Sequence, residues 1–320
     1  MIDSPLFSHV TIIGLGLIGS SLARAIKSTN VASCVSVYDN DKEVRAICKG
    51  LKIADTVHDS ISDAVSGADL VILAIPIRAY SSVAKEISQH LSSDVIITDV
   101  GSVKEEVILS LRAELPPSVN LVPGHPVAGT EHSGPESGFS ELFFDRWVIL
   151  TPENNTNTDA INIVKKMWEK LGSNVEIMDA PHHDRVLAIT SHLPHLIAYT
   201  IVATAADMEN QLQAENKNKE VVTTADVVKF SAGGFRDFTR IAGSNPVMWR
   251  DVFLSNKDAV LEMLGRFNED LTALQKAIRW SDGEELEKWF TRTRDIRRGV
   301  IEAGQAGRFE YTENKKEDDN

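Results

Sequence analysis

The chain has 320 residues, 42% of them hydrophobic and 25% charged, the composition of a globular protein with room for two domains and a sizeable core. Its net charge of -13, from 33 basic and 46 acidic side chains, argues against general nucleic-acid or anionic-membrane binding, which needs positive surface. An anionic small molecule is not excluded, because a few arginines can dominate one pocket. Cys34 and Cys48 show no metal or redox spacing and fit a reducing compartment as small apolar side chains. Met1–Ser8 shows no basic segment leading into an apolar block, so a cytoplasmic protein is expected. The longest apolar stretch, Val10–Ala23, is too short to span a bilayer and carries three glycines.

Val10–Ile13 reads as a strand, Gly14-Leu15-Gly16-Leu17-Ile18-Gly19 as a glycine turn, and Ser20–Lys27 as a helix. The glycines let the chain turn tightly and approach a pyrophosphate, while the helix start at Leu17 and Ile18 supplies amides and a positive dipole end. Val35–Asp39 follows as a second strand. A carboxylate at Asp39 can accept from ribose hydroxyls and repels a 2′-phosphate, which favours NAD over NADP. The same residue could instead cap a helix from Lys42.

Asp69–Pro76 and Asp94–Gly101 are near-continuous apolar runs, separated by a helix over Ile77–Leu91. Such runs indicate a parallel sheet covered on both faces, with ligands beyond the carboxyl ends of its strands. Those ends are Ala74–Arg78, with Ala74, Pro76 and Arg78 as cofactor contacts; Val100–Lys104, with Gly101 at the cofactor; and Gly124–Glu131 after the strand Asn120–Pro123. Ser102 is a candidate there, or a cap for a helix starting near Val103. His125, bracketed by Gly124 and Gly129, suits proton transfer near neutral pH; alone it could equally be a surface histidine at a strand end.

Gly134–Phe144 reads as a loop with a short helix, Arg146–Leu150 as a strand, Ile161–Leu171 as a helix ended by Gly172, and Asn174–Met178 as the last strand. The domain boundary is therefore placed at residues 178/179. The remainder reads as helical. Pro181 starts a long helix toward Met208, and Pro194 should kink it. Ser191 and His195 share a face if that turn is regular. His182-His183-Asp184 reads as a solvated helix start rather than a metal cluster, and no metal site is expected. Glu209–Glu220 reads as a mobile loop. Arg236 and Arg240 form a candidate anion site after Gly233-Gly234, unless Asp237 pairs with one of them on a solvated face. Val260, Leu264, Phe267, Leu271, Leu274 and Ile278 space like a coiled-coil seam in a long helix after Pro246. A last helix covers Gly283–Ala303, and residues 304–320 read as a disordered tail.

These segments resemble the prephenate/arogenate (cyclohexadienyl) dehydrogenases of tyrosine biosynthesis. The resemblance rests on Gly14–Gly19, Thr98-Asp99-Val100-Gly101-Ser102-Val103-Lys104, Gly124–Glu131, Ser191-His192-Leu193-Pro194-His195, Gly233–Arg240 and Asn245-Pro246-Val247-Met248-Trp249-Arg250, in family order over roughly residues 10 to 300. It implies an α/β fold: an N-terminal Rossmann-like, doubly wound, mostly parallel sheet, followed by an all-α dimerisation domain at residues 179–305. It implies oxidative decarboxylation of prephenate or arogenate by NAD. His125 would take the ring-hydroxyl proton, Ser102 would hold His125 and that hydroxyl in line, and Arg240 would bind a carboxylate. Ser191, His195, Gly233 and Trp249 would line the side-chain pocket, with Trp249 a residue that a partner subunit could lend. Glu131 and Asp237 would gate or orient. A homodimer is implied, with tyrosine as a candidate feedback ligand.

Two other readings fit the fold. Hydroxyacid dehydrogenases of the 6-phosphogluconate or 3-hydroxyisobutyrate type use a lysine base from their helical domain, and none of the motif segments Ser191–His195, Gly233–Arg240 and Asn245–Arg250 offers one. A non-catalytic nucleotide sensor would have no need of His125, Ser102 and Arg240 together.

Overall fold

A computed structural model of the protein describes residues 4–130, 132–216 and 231–302. The chain forms two compact units, residues 1–263 and 264–320.

The first unit is built on a six-stranded, all-parallel sheet in the order β3-β2-β1-β4-β5-β6. Its strands are β1 (Phe7–Ile13), β2 (Ala32–Tyr38), β3 (Thr56–Val57), β4 (Leu70–Leu73), β5 (Ile96–Asp99) and β6 (Asn120–Val122). Side chains alternate between the faces of a strand. Leu70 and Ile72 accordingly join Leu22 and Ile26 of α1 (Leu17–Ser28) in one core. Val71 and Leu73 join Tyr80, Ala84 and Ile87 of α4 (Tyr80–Ile87) and Val107 and Leu111 of α5 (Glu105–Arg112) in the other. Burial on both faces is why these strands read as unbroken apolar runs. Each fully buried Leu or Ile contributes roughly 1.5–3 kcal/mol.

The strand ends are shorter than the apolar runs. After β4 the chain makes a 3-10 turn, Ile77–Ala79, before α4 begins. β5 stops at Asp99 because the next residues wrap around that carboxylate. The short elements β3, α2 (Lys42–Leu51) and α3 (Ile61–Val65) carry too few apolar positions to stand out in the sequence. Asp41, not Asp39, caps α2.

Gly124–Pro126 is not a loop. It forms β7, antiparallel to β8 (Trp147–Leu150), which runs parallel to β9 (Asn174–Ile177) in a separate three-stranded sheet. The 3-10 turns Pro135–Ser137 and Ser140–Phe143 precede β8, and α6 (Thr158–Lys170) ends just before Gly172, whose φ is +86°.

The helical part starts with α7 (Ala180–Leu187), with Pro181 in its first turn. A π-helical turn, Ala188–His192, leads into α8 (Leu193–Asn216). Pro194 explains the turn: it has no N–H to donate, and its ring displaces the carbonyl one turn earlier. Residues 209–216, expected in a loop, continue α8; the rest of that stretch lies outside the described residues. Ala180–Gln211 is long and apolar enough to cross a membrane by length and composition. It buries His183, Asp184 and His192 near its start and exposes Ile201, Val202 and Met208 further along.

α9 (Gly233–Thr239), a 3-10 turn at Arg240–Gly243 and α10 (Pro246–Ser255, capped by Asn245) follow. The long helix expected after Pro246 is broken at Asn256, where α11 (Lys257–Arg279) begins. In the second unit, the remainder of α11 and α12 (Gly283–Glu302) border an apolar groove lined by Leu271, Leu274, Ile278 and Phe290. The seam is covered at Val260 but open at Leu271 and Ile278, which are 51% and 65% exposed. The expected tail at 304–320 lies outside the described residues.

Candidate active site

Asp99, at the carboxyl end of β5, is the hub of the site. Its Oδ2 accepts from the Gly101 amide at 2.7 Å and the Tyr80 hydroxyl at 3.2 Å, and its Oδ1 from the Gly124 amide at 3.1 Å. The ammonium of Lys104, wholly buried, pairs with Asp99 and donates to the Gly124 carbonyl at 2.7 Å. One carboxylate and one ammonium thus bind the 100–104 turn to the start of β7, and His125 is the next residue. Burial pushes the Lys104 pKa down, opposed by Asp99 and then Asp184.

His125 is 7% exposed and pairs with Ile149 of β8. Its Nδ1 lies 2.8 Å from Nε2 of His183. His183 Nδ1 lies 2.7 Å from Asp184 Oδ1, and Asp184 also accepts from the amides of Lys104 at 2.8 Å and Glu105 at 3.0 Å. The solvated start expected at His182-His183-Asp184 is therefore half wrong. His182 is exposed, but α7 turns His183 and Asp184 inward, where they are 0% and 1% exposed. Burial holds His125 well below the usual histidine range, reinforced by His183, Lys104 and His192. Burial also lowers His183, against the pull of Asp184. Both rings are neutral at pH 7, and a neutral imidazole can accept a proton.

Ser102 is half-buried in the 100–104 turn, and its hydroxyl makes no hydrogen bond among the described residues. It does not cap α5, which starts after Lys104 without a side-chain cap. His183, rather than Ser102, hydrogen-bonds the His125 ring.

His192 follows from the π turn. Its Nδ1 faces the Asn256 amide at 3.2 Å, an amide that also donates to the Asp184 carbonyl at 2.8 Å, and its Nε2 is buried without a partner among the described residues. Burial lowers the His192 pKa to about 4. Trp249 of α10 packs within its own chain, edge-on to His192 and stacked on His195. The turn is π-helical rather than regular at Ser191, and His195 Nδ1 donates to the Ser191 backbone carbonyl at 2.8 Å. Burial lowers the His195 pKa, its bond to the Ser191 carbonyl opposes that, and the Arg240 charge lowers it further, the net direction being downward. Arg240 thus stands close enough to His195 to be felt there. The Tyr199 hydroxyl donates to the Ser244 carbonyl at 2.9 Å, tying α8 to the turn that begins at Arg240. Gly233 and Asp237 lie at the two ends of one α9 turn, a Cβ on Gly233 meeting the Asp237 carboxylate at 3.7 Å. Glu131 lies outside the described residues.

The other expected residues surround the carboxyl ends of β1, β2 and β4. Gly14 has φ +91°, and a Cβ there would come within 2.3 Å of the Ala74 carbonyl. A Cβ on Gly19 would stand 1.9 Å from the Gly14 carbonyl, whereas one on Gly16 would project into open space. Two glycines are thus closed by backbone, and the third leaves a cradle at the start of α1, whose first residues are Leu17 and Ile18. Asp39 accepts from the Leu15 amide at 2.7 Å and the Asp41 amide at 2.9 Å, placing its carboxylate at this turn. These residues fit a dinucleotide. Pro76 is exposed on the same rim; Arg78, also expected at the cofactor, is exposed and has its Nε 2.8 Å from the buried Asp251 of α10. Among the described residues no group of three or more His, Cys, Asp or Glu side chains could hold a metal ion.

Sequence reasoning missed Asp99, Lys104, His183, Asp184, His192 and Asn256 as site residues. Asp99 and Lys104 lie within a motif already singled out, and His192 within another. Nothing local marks His183, whose burial depends on a strand nearly sixty residues earlier.

The strand order, the glycine turn feeding α1 and the acid closing β2 define a Rossmann-type, dinucleotide-dependent protein. The chain belongs to the prephenate dehydrogenase family: the nucleotide-binding domain model matches residues 22–177 and the dimerization domain model residues 179–292. It is 44% identical to the cyclohexadienyl dehydrogenase of Zymomonas mobilis over 291 residues, 91% of this chain and 95% of that protein. It is 32% identical to the prephenate dehydrogenase of Bacillus subtilis over 292 residues, 91% of this chain and 76% of that protein. The crystal structure of prephenate dehydrogenase from Aquifex aeolicus in complex with hydroxyphenyl propionate and NAD+ is similar at a TM-score of 0.82 and 35% identity, covering 92% of this chain and 98% of that one.

Proposed function

We infer that this chain catalyses the oxidative decarboxylation of prephenate to 4-hydroxyphenylpyruvate, of arogenate to tyrosine, or of both, with NAD as the hydride acceptor. One observation carries the assignment of chemistry to residues: His125 is a buried, neutral imidazole whose Nδ1 is already engaged by His183. Nε2 is the nitrogen left for substrate.

His125 takes the proton of the ring hydroxyl at Nε2, as a general base must, within hydrogen-bond reach. NAD, when bound, accepts the hydride from the carbon carrying that hydroxyl. The ring then loses its carboxylate as CO2, and the electron pair left behind makes it aromatic; one base is enough because this loss drives the reaction. Gly14, Gly16, Gly19 and the amides at Leu17 and Ile18 cradle the pyrophosphate, and Asp39 faces the adenosine ribose. Ala74, Pro76 and Gly101 line the nicotinamide end. Ser102 hydrogen-bonds the substrate hydroxyl. Arg240 binds a carboxylate, and Ser191, His195, Gly233 and Trp249 surround the side chain, with Glu131 and Asp237 gating it.

The working division is a cofactor domain at residues 1–178 and a helical domain at 179–305. The matched dimerization domain and the exposed apolar residues of α8, α11 and α12 support a homodimer. A cytoplasmic location suits a biosynthetic enzyme. Tyrosine, which carries the side chain of arogenate, is a candidate inhibitor at the same pocket.

Absorbance at 340 nm tests the assignment, with NAD or NADP offered against prephenate and arogenate separately. NADH should form with at least one substrate, faster than NADPH does. No reduction with any of the four pairs, from folded protein, would refute it.

A further inference from the structure

We propose that His183 and Asp184 are positioning residues that set the tautomer of His125 and stabilise the charge it acquires, through a hydrogen-bond chain ending on the backbone of the β5–α5 turn. The proposal rests on the reading of His125 as the base and adds to that reading the means by which it is kept competent.

The polarity of the chain follows from its far end. The amides of Lys104 and Glu105 can only donate, so Asp184, which meets both, is the acceptor for each. Asp184 Oδ1 also lies 2.7 Å from His183 Nδ1, so that nitrogen carries a proton and donates it. A neutral imidazole holds one proton, which leaves His183 Nε2 with a lone pair. The His125 Nδ1, 2.8 Å from that lone pair, must then be the donor. His125 is thereby fixed with its proton on Nδ1 and its free lone pair on Nε2. The opposite tautomer would put two lone pairs face to face in a buried site.

The same chain acts once His125 is protonated. The imidazolium donates through Nδ1 to His183, whose own N–H points at a carboxylate, so the new charge is met by oriented dipoles and an anion rather than by apolar surroundings. That offset matters here. Lys104, from the β5–α5 turn, and His192, from the π turn, face His125 and oppose its protonation, and Asp99 on β5 and Glu105 at the start of α5 complete the charged surroundings of the chain. Neither His183 nor Asp184 reaches solvent, at 0% and 1% exposure, and the His183 ring has no polar partner among the described residues besides His125 and Asp184, so surface solvation does not explain them.

The test compares His183→Asn, His183→Gln and Asp184→Asn in the NAD-loaded enzyme with its substrate. Asn keeps an amide near Asp184 but is too short to reach His125; the longer Gln offers an amide oxygen to His125 Nδ1. His183→Asn should lower kcat roughly 10-fold or more, with substrate KM and NAD affinity within about twofold of wild type. His183→Gln should recover part of kcat. Asp184→Asn should move the acid limb of the kcat pH profile to lower pH, because the imidazolium loses its anion. Nitrogen-15 NMR should find His125 protonated at Nδ1 in wild type and in mixed tautomers in His183→Asn. An unchanged kcat in folded His183→Asn would overturn the proposal. So would a loss of kcat with tautomer and pH limb unmoved and Gln no better than Asn, the pattern of a purely structural role. Should His183→Asn not fold, the pH limb of Asp184→Asn decides alone. Full turnover by His125→Asn would instead remove the base assignment itself, whatever the His183 variants do.

Discussion

Trp249 lies face to face with His195, ring centroids 3.6 Å apart and planes within 24°, while its Nε1–H is buried without a partner among the described residues. The stack ties α8 to α10. An unpartnered buried donor is costly in the free protein and useful if a substrate oxygen takes it. Trp249→Phe keeps an aromatic surface and removes that donor. We predict stability within about 1 kcal/mol of wild type and a several-fold rise in substrate KM at nearly constant kcat. Urea unfolding and steady-state kinetics check the two halves, and an unchanged KM would take the indole N–H out of substrate binding.

Gly16 and Gly19 should respond in opposite ways to the same change. A Cβ on Gly16 enters open space, while one on Gly19 meets the Gly14 carbonyl at 1.9 Å. Gly16→Ala should fold with near wild-type stability and bind NAD at least about 10-fold more weakly, by intruding on the pyrophosphate. Gly19→Ala should lose stability itself, by about 1–3 kcal/mol, through backbone displacement. NAD titration of the folded variants and their thermal midpoints separate the cases. Equal NAD affinity in Gly16→Ala and wild type would mean the cradle is not at this turn.

Lys104 is fully buried against Asp99, and the pair holds Gly101 and Gly124 in place. Lys104→Met retains volume but strands a buried carboxylate. Breaking a buried pair at one partner costs about 3–5 kcal/mol. Replacing both, as Asp99→Asn with Lys104→Met, should cost less than the sum of the single changes, as expected for partners in direct contact. Denaturant midpoints of the two single variants and the double variant measure the difference; strict additivity would contradict the coupling.

The sequence was informative where physics is local. The glycine turn between Ile13 and Ser20 and the apolar runs of β4 and β5 need only their own neighbours to be understood, and they led to the right fold class. His125, Trp249 and Arg240 stood inside recognisable motifs. His183 and Asp184 did not, because a helix start is polar whether it faces water or a buried imidazole; only the docking of α7 beside β7 distinguishes the two. The second sheet was hidden for a related reason. β7 has three residues, among them a glycine and a proline, and its pairing with β8 spans a long loop. The break at Asn256 was equally hidden, since its amide bridges the Asp184 carbonyl and His192, both distant in sequence.

The buried histidines also predict an acid sensitivity. His125, His183 and His192 all have folded-state pKa values below the unfolded value of about 6.5. Their neutral forms fit the fold, so the stability they contribute is fully present above pH 6.5 and is lost as the pH falls toward the folded values. For His192, lowered to about 4, the loss on reaching that pH is on the order of 3 kcal/mol. The urea midpoint should therefore drop between pH 6.5 and 4. A midpoint constant over that range would show that the three imidazoles titrate normally.

The central claim is that His125 is the base. Its most direct test is turnover by His125→Asn, measured as NADH formation at saturating NAD and substrate, alongside NAD binding by the same protein. The account predicts wild-type NAD affinity and a loss in kcat of about 10²- to 10⁴-fold. Wild-type turnover in a folded, NAD-binding variant would contradict it.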